Sequence, residues 1–261
     1  MTAGTATAPS TGTTASSVTE SIRRNIELYI TPAFFLILAF AVGVVWNYSE
    51  FDFQTADILE PSKLVTQTLQ HLNLTFWSTL IVLVVAVPLG ILLTRPAYRK
   101  FAGPVLSVAN AGQAIPAYGL LIIFLTFMSS GATTAIVALT VYAILPVLRN
   151  TMVGLDQVDQ AVIEAGRGMG LSKRQALLDI ELPLAVPVIL AGVRTALVIN
   201  VGTAALAVFI GGGGLGEAIN SGLKLNRPTA TFIAGALVAM LALAVDFIAA
   251  LAERYLRPKG V

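Results

Sequence analysis

One segment of this 261-residue chain mixes charge, glycine and proline: "EAGRGMGLSKRQALLDIELPLAVP", Glu164 to Pro187. Gly166, Gly168 and Gly170 alternate through its start, which invites a nucleotide-loop reading. A phosphate-binding loop needs Gly-x4-Gly-Lys-Ser/Thr after a strand, and the chain contains no such run. No ATP site and no bound cofactor are therefore expected in this chain. Glu164 and Arg167 stand at i, i+3 spacing and can pair on a helix, although an exposed pair contributes only about 0–1 kcal/mol. The absence of cysteine excludes disulfides, zinc–thiolate sites and thiol catalysis. The single histidine, His71, has no carboxylate constellation beside it, so a hydrogen bond is a better reading than a metal site. Two charges, Arg194 and Asp246, lie within apolar runs and form a candidate intramembrane ion pair. Burying either at a helix centre costs about 2.5–3.5 kcal/mol on insertion scales. Mutual pairing and snorkelling of Arg194 both reduce that cost, and the sequence leaves the choice open. Nothing assembles a nucleophile, a general acid–base pair or an aromatic cage for a quaternary ammonium group.

The elements that carry these residues are set by composition. The chain is 56% hydrophobic and only 11% charged, with a mean hydropathy of +0.82, whereas soluble domains carry about 25% charged residues. An integral membrane protein is expected. Spanning the hydrocarbon core takes about 20 mainly apolar residues in a helix. Six stretches qualify, at about 29–46, 72–94, 104–128, 133–149, 184–210 and 230–252. Backbone groups in lipid must be satisfied internally, so the expected fold is all-α. Pro88, Pro116 and Pro146 each remove a helical hydrogen bond and mark expected kinks, and the fifth span is long enough to break near Gly202. Residues 1–21, rich in Thr, Ala and Ser, cannot bury enough surface to offset their ordering and are expected to form a disordered tail. Residues 22–261 then make one membrane domain, with its core at about 64–252.

Lysine and arginine fix the orientation. With the N-terminus inside, twelve of the sixteen basic residues, among them Arg23, Arg24, Arg95, Arg99 and Lys100, fall on the cytoplasmic side. Lys63, Lys224 and Arg227 fall on the other. Both termini are expected in the cytoplasm, as is the Glu164–Pro187 segment. A pI of about 9.0 comes with no basic run, so no nucleic-acid partner is expected.

Within residues 156–183 the pattern predicts two short helices. Val158, Val162, Ala165 and Met169 form one apolar stripe. Gly170 is placed to end the first helix in a left-handed turn. Ser172 with Gln175 matches a capping box for the second, and Pro183 should stop that helix at Leu182. A docking surface for a cytoplasmic partner and a plain interfacial hairpin fit this pattern equally.

The same residues carry a resemblance. "EAGRGMG", "LSKRQALLD" and "IELP" resemble the EAA loop of ATP-binding-cassette importer permeases: Glu-Ala-Ala, three residues, Gly, nine residues, Ile-x-Leu-Pro. Glu164, Ala165, Gly170, Ile180, Leu182 and Pro183 match at full spacing, and Gly166 departs from the usual alanine. "ANAGQAIPAYGLL", "YAILPVLRNTMVGLDQVD", "ELPLAVPVILAGVRTA" and "FIGGGGLGEAI" are similar to the osmoprotectant branch, which handles glycine betaine, carnitine and choline. The resemblance implies a type I importer permease fold in the cell membrane of a prokaryote. It also implies a coupling loop, here Glu164, Ala165, Gly166, Arg167, Gly170, Leu171, Ser172, Ile180, Leu182 and Pro183, that seats on a separate ATPase. A second permease copy or paralogue and an extracytoplasmic substrate-binding protein complete the implied assembly, with ATP used by the partner. The rivals are a methionine-like or other amino-acid importer and, from another class, a stand-alone channel or membrane scaffold.

Overall fold

The computed structural model describes residues 12–256, with side chains from residue 30. Eleven α-helices run through them: α1 Gly12–Tyr48, α2 Phe53–Ile58, α3 Pro61–Thr94, α4 Ala102–Ala114, α5 Ala117–Phe127, α6 Ala132–Asp156, α7 Gln160–Gly168, α8 Lys173–Ala176, α9 Leu182–Ala204, α10 Gly216–Lys224 and α11 Pro228–Leu256. Residues 1–11 of the expected disordered tail lie outside the described residues. From Gly12 the backbone is helical, and no glycine or proline between Thr13 and Ile30 interrupts its continuation into the first span.

Five stretches of helix are long and apolar enough to cross a membrane, and the bent pair formed by α4 and α5 makes a sixth. The kink expected at Pro116 within the span at 104–128 is a sharp bend. The chain bends by 102° between Ala114 and Ala117, where Ile115 is extended and Pro116 supplies no amide. The pair nevertheless carries the chain from one side to the other. Arg99, just beyond the end of α3, bonds Asp156 at the end of α6, so α3 and α6 run parallel and residues 99–127 must return the chain between them. Pro88 and Pro146, also marked for kinks, sit inside helices that continue through them.

Helix α6 is the axis of the fold, packed between α3 and α9. Val82, Ala86 and Leu93 of α3, Ala143, Val147 and Leu148 of α6 and Ala196 of α9 form the main apolar cluster. Lipid tails are as apolar as these side chains, so association depends on close fit and small residues. At Gly192 of α9 an added Cβ would stand 2.8 Å from the Pro146 carbonyl oxygen and 2.7 Å from Asn150 Cβ. A second cluster joins α2, α10 and α11, with Ile58, Leu59, Ala218 and Ile233 at its centre. Asp52 caps α2 by accepting the Thr55 amide at 3.0 Å and pairs with Arg227 at 2.8 Å. Hydrogen bonds from Thr55, then the Arg227 charge, hold the Asp52 carboxyl below the usual carboxylate range.

The fifth span breaks close to Gly202, as its length suggested. Helix α9 ends at Ala204 and the chain tightens into a 3-10 segment, Ala205–Ile210. Gly211, Gly213 and Gly214 then take positive φ values of 73°, 79° and 91°, which only glycine adopts readily. Gly212 to Gly216 are buried, and the Gly214 amide donates to Gln70 Oε1 at 3.0 Å. His71, fully buried, sits 2.8 Å from the Val201 carbonyl through Nε2. A carbonyl only accepts, so Nε2 carries the proton.

Arg194 and Asp246 tie α9 to α11. Arg194 Nε lies 2.5 Å from Asp246 Oδ1 and its terminal nitrogen 2.8 Å from Oδ2, a bidentate pair that favours pairing over snorkelling.

Two outcomes follow from this packing. Arg194→Ala and Asp246→Ala are each expected to lower folded yield, and the exchange Arg194→Asp with Asp246→Arg to restore part of it, measured by size-exclusion recovery in detergent; full yield from both single variants overturns the pair's role. Gly192→Ala is expected to destabilise by about 1–3 kcal/mol through overpacking, read as a lower unfolding temperature. Gly103→Ala, with nothing within 4 Å of the new methyl, should be neutral or stabilising.

Candidate functional site

The hairpin between α6 and α9 is built from α7 and α8. Helix α6 runs on to Asp156, so the first arm begins later than its pattern suggested. Asp159 caps α7, its Oδ1 accepting the Ala161 amide at 2.9 Å. Gly170, at φ +98°, closes the arm: the Leu171 amide reaches Gly166 O at 3.2 Å and the Gly170 amide reaches Arg167 O at 3.0 Å. These two bonds make a Schellman motif. Ser172 and Gln175 then form the capping box on α8: the Gln175 amide donates to Ser172 Oγ at 3.3 Å and the Ser172 amide to Gln175 Oε1 at 2.9 Å. Such a cap contributes about 1 kcal/mol, and with the Schellman turn it fixes the angle between the arms.

The second arm does not stop at Leu182. After α8 the chain widens into one π turn, Leu177–Glu181, in which the Leu182 amide reaches back five residues to Leu177 O, and α9 follows without a gap. Pro183 has no amide and its ring conflicts with the carbonyl four residues earlier. The wider turn moves that carbonyl aside, so the proline sits in the first turn of α9 instead of ending a helix. The hairpin's second arm and the fifth span are therefore one continuous rod.

Among the expected coupling-loop residues, Gly166, Leu171 and Ile180 pack together between the arms. Gly166 is buried, and a methyl there would overlap Ile180 Cδ1 and meet Leu171 Cδ1 at 3.2 Å. Ile180 thus fills the space that the usual alanine would occupy. Of the others, Glu164, Ala165, Arg167, Gly170 and Ser172 are exposed, whereas Pro183 is half-buried and Leu182 packs on the cluster of Leu155, Ala185 and Ile189; Met169, beside them, is 81% exposed. Glu164 and Arg167 do not pair, since neither enters an ion pair within 4.0 Å among the described residues. The expected apolar stripe also divides. Val158 is buried before α7 begins, while Val162 and Met169 lie open, so the part of the stripe on α7 does not serve this chain's own core.

Two contacts at the base of the hairpin escaped the sequence reading. Glu181, 7% exposed, is held by Arg95 at 3.2 and 2.6 Å. Asp156 is held by Arg99 at 3.1 and 3.3 Å. Their partners are 86 and 57 residues away in sequence, so no periodicity links them. The available signal was Glu181 itself, a charge set directly before Leu182 and Pro183 in an apolar run. The polar groups of the spans are largely spent on packing: Asn200 Nδ2 donates to Thr79 Oγ1 at 3.0 Å, and Tyr118 stacks edge-on with Phe209 at 5.1 Å.

Comparison with known proteins bears on this geometry. Residues 86–258 match the family of binding-protein-dependent transport system inner membrane components. The choline transport system permease protein OpuBB of Bacillus subtilis (strain 168) is 41% identical over 200 residues, 76% of this chain and 91% of that one. The osmoprotectant import permease protein OsmY of Salmonella typhimurium is 42% identical over 192 residues, 74% and 81% of the two chains. Among solved structures, an inward-facing form of the MetNI methionine ABC transporter superposes with a TM-score of 0.67 at 28% identity, covering 76% of this chain and 99% of that one. With six apolar crossings, a charged hairpin on the basic side and this extent of identity, the chain belongs to the binding-protein-dependent transport system inner membrane component family and is a multi-pass permease of an ABC importer.

Proposed function

We propose that this permease imports a compatible solute of the quaternary-ammonium class, such as glycine betaine, choline or carnitine, and that a separate cytoplasmic ATPase drives it through the α7–α8 hairpin. The observation that carries the docking half is the hairpin's own economy. Its internal contacts are closed by a Schellman turn, a capping box and the Gly166–Ile180 contact. Glu164, Arg167 and Met169 remain exposed, with no ion pair to Glu164 or Arg167. A rigid element with unspent charge and apolar surface is suited to seating in a groove on another protein. Because the second arm continues into α9, movement of the hairpin is movement of a membrane span. Hydrolysis belongs to the ATPase. A second permease, identical or similar, and an extracytoplasmic substrate-binding protein complete the assembly, and the binding protein selects the solute.

The substrate half rests on the relatives. Those about 40% identical over most of their length are named for choline, carnitine, glycine betaine or osmoprotectant transport, whereas the methionine transporter stands at 28%.

Docking is tested by co-purification with the cognate ATPase. Gly170→Pro forces φ near −65° on a residue at +98°, and Glu164→Lys inverts the exposed charge. Each is expected to weaken ATPase retention about tenfold or more, or about 1.4 kcal/mol; retention unchanged by both counts against the hairpin as the seat. The solute class is tested by uptake into vesicles holding the complex and its binding protein. Uptake of labelled glycine betaine or choline, reduced by excess carnitine and untouched by methionine, is the expected result. Competition by methionine alone would reassign the transporter.

A further inference from the structure

Both roots of the hairpin are gripped by one short connector. Asp156 is the last residue before the hairpin and Glu181 closes the π turn after it. Arg99 and Arg95, four residues apart between α3 and α4, bind these two carboxylates, each with two guanidinium nitrogens. Past Arg99 the chain enters a single 3-10 turn and then α4, the first half of the bent span.

We propose that Arg95 and Arg99 act as a yoke, positioning residues that pass displacement of the hairpin to the α4–α5 span and so couple ATP hydrolysis to solute movement. The inference rests on the docking reading above. Asp156 ends α6 at the hairpin's entry and Glu181 closes its second arm at the exit, so displacement of the hairpin against the bundle is felt at both carboxylates. A bidentate arginine–carboxylate pair fixes orientation as well as distance, so the guanidinium groups follow the carboxylates. The two grips differ in stiffness. Glu181 is nearly buried, and releasing Arg95 would strand its charge in a poorly solvated place. Arg99 and Asp156, with side chains 61% and 40% exposed, form the compliant partner.

The space around these pairs fits the role. A cavity of about 560 Å³ lies between the connector and the hairpin, and both arginines and both carboxylates line it. Across that gap the ion pairs serve as struts. On one side of the connector α3 is an unbroken helix clasped to α6, and on the other the chain has its 102° joint at Pro116. Displacement delivered to Arg95 and Arg99 therefore finds its give in α4 and α5. Without the yoke, the hairpin reaches only the two spans it is joined to by the chain, α6 and α9.

The test uses the complete complex of permease, ATPase and binding protein in proteoliposomes. Four quantities are read: ATPase retention, basal hydrolysis, hydrolysis with loaded binding protein, and solute taken up per ATP. The double variant Arg95→Gln with Arg99→Gln is expected to keep the ATPase and its basal hydrolysis while solute per ATP falls about tenfold, within the span of coupling-network effects. The exchange Arg99→Asp with Asp156→Arg is expected to recover coupling lost in Arg99→Gln. Unchanged solute per ATP in a folded double variant overturns the yoke. Loss of ATPase retention in Arg99→Gln overturns it too, by showing that the pair shapes the seat and does not transmit motion. Should Arg95→Gln fail to fold, Arg99→Gln and its exchange decide alone: about threefold lost coupling, regained on exchange, supports the proposal, and no loss overturns it. If the unsubstituted chain fails to retain the ATPase, the docking reading falls and the yoke with it. Retention with unaltered coupling in the variants removes the yoke only.

Discussion

A helix that ends inside hydrocarbon strands carbonyls and amides where no water can reach them, and this fold is arranged around such endings. The fifth span stops at Ala204; the 3-10 segment that follows packs on α5 and α6, and the glycine loop folds back against α3. There His71 takes the Val201 carbonyl and Gln70 takes the Gly214 amide. Irregular backbone is tolerated at that depth because protein surrounds it. The bent α4–α5 pair meets the same constraint differently. Its joint falls at Pro116, a residue with no amide to satisfy, so the break is made where the chain loses least.

The constraint also explains which residues fill the interior. Small side chains let α3, α6 and α9 approach closely, and at Gly192 there is room for hydrogen only. Some polar groups deep in the bundle bond across to neighbouring helices, as with Asn200 on Thr79 and Arg194 on Asp246, while the hydroxyls of Thr75 and Thr151 bond back to carbonyls of their own helices. Outside the membrane the balance reverses. The hairpin closes its own backbone with a Schellman turn and a capping box, and leaves Glu164, Arg167 and Met169 uncommitted. A part that needs nothing further from its own chain can form contacts with another.

The π turn joins these two regimes. Pro183 would ordinarily end a helix, and local rules alone place a stop at Leu182. The chain instead widens by one residue at Leu177–Glu181, keeps the rod continuous and turns Glu181 toward Arg95. Continuity makes the hairpin part of a membrane span, and the Glu181 contact joins it to a different one.

What was legible by itself was whatever depends on neighbours close along the chain. Hydropathy over windows of about twenty residues gave the crossings, the basic residues gave an expected orientation, and Gly170, Ser172 and Gln175 gave the hairpin its turn and cap. The turn and cap act through bonds spanning five residues or fewer. The local rules failed where a distant partner changed the outcome. Ile180 explains Gly166, α3 buries the glycine loop, and the pairings of Arg95 and Arg99 with residues 86 and 57 positions away carry no periodic trace. Arg194 and Asp246 lie between these cases: the cost of each charge in lipid was readable, but only the packing of α9 on α11 decided that each answers the other. Sequence determines where polar groups must find partners, and the tertiary structure decides which partners, because in a bilayer the choice is made by helices far apart in the chain and adjacent in space.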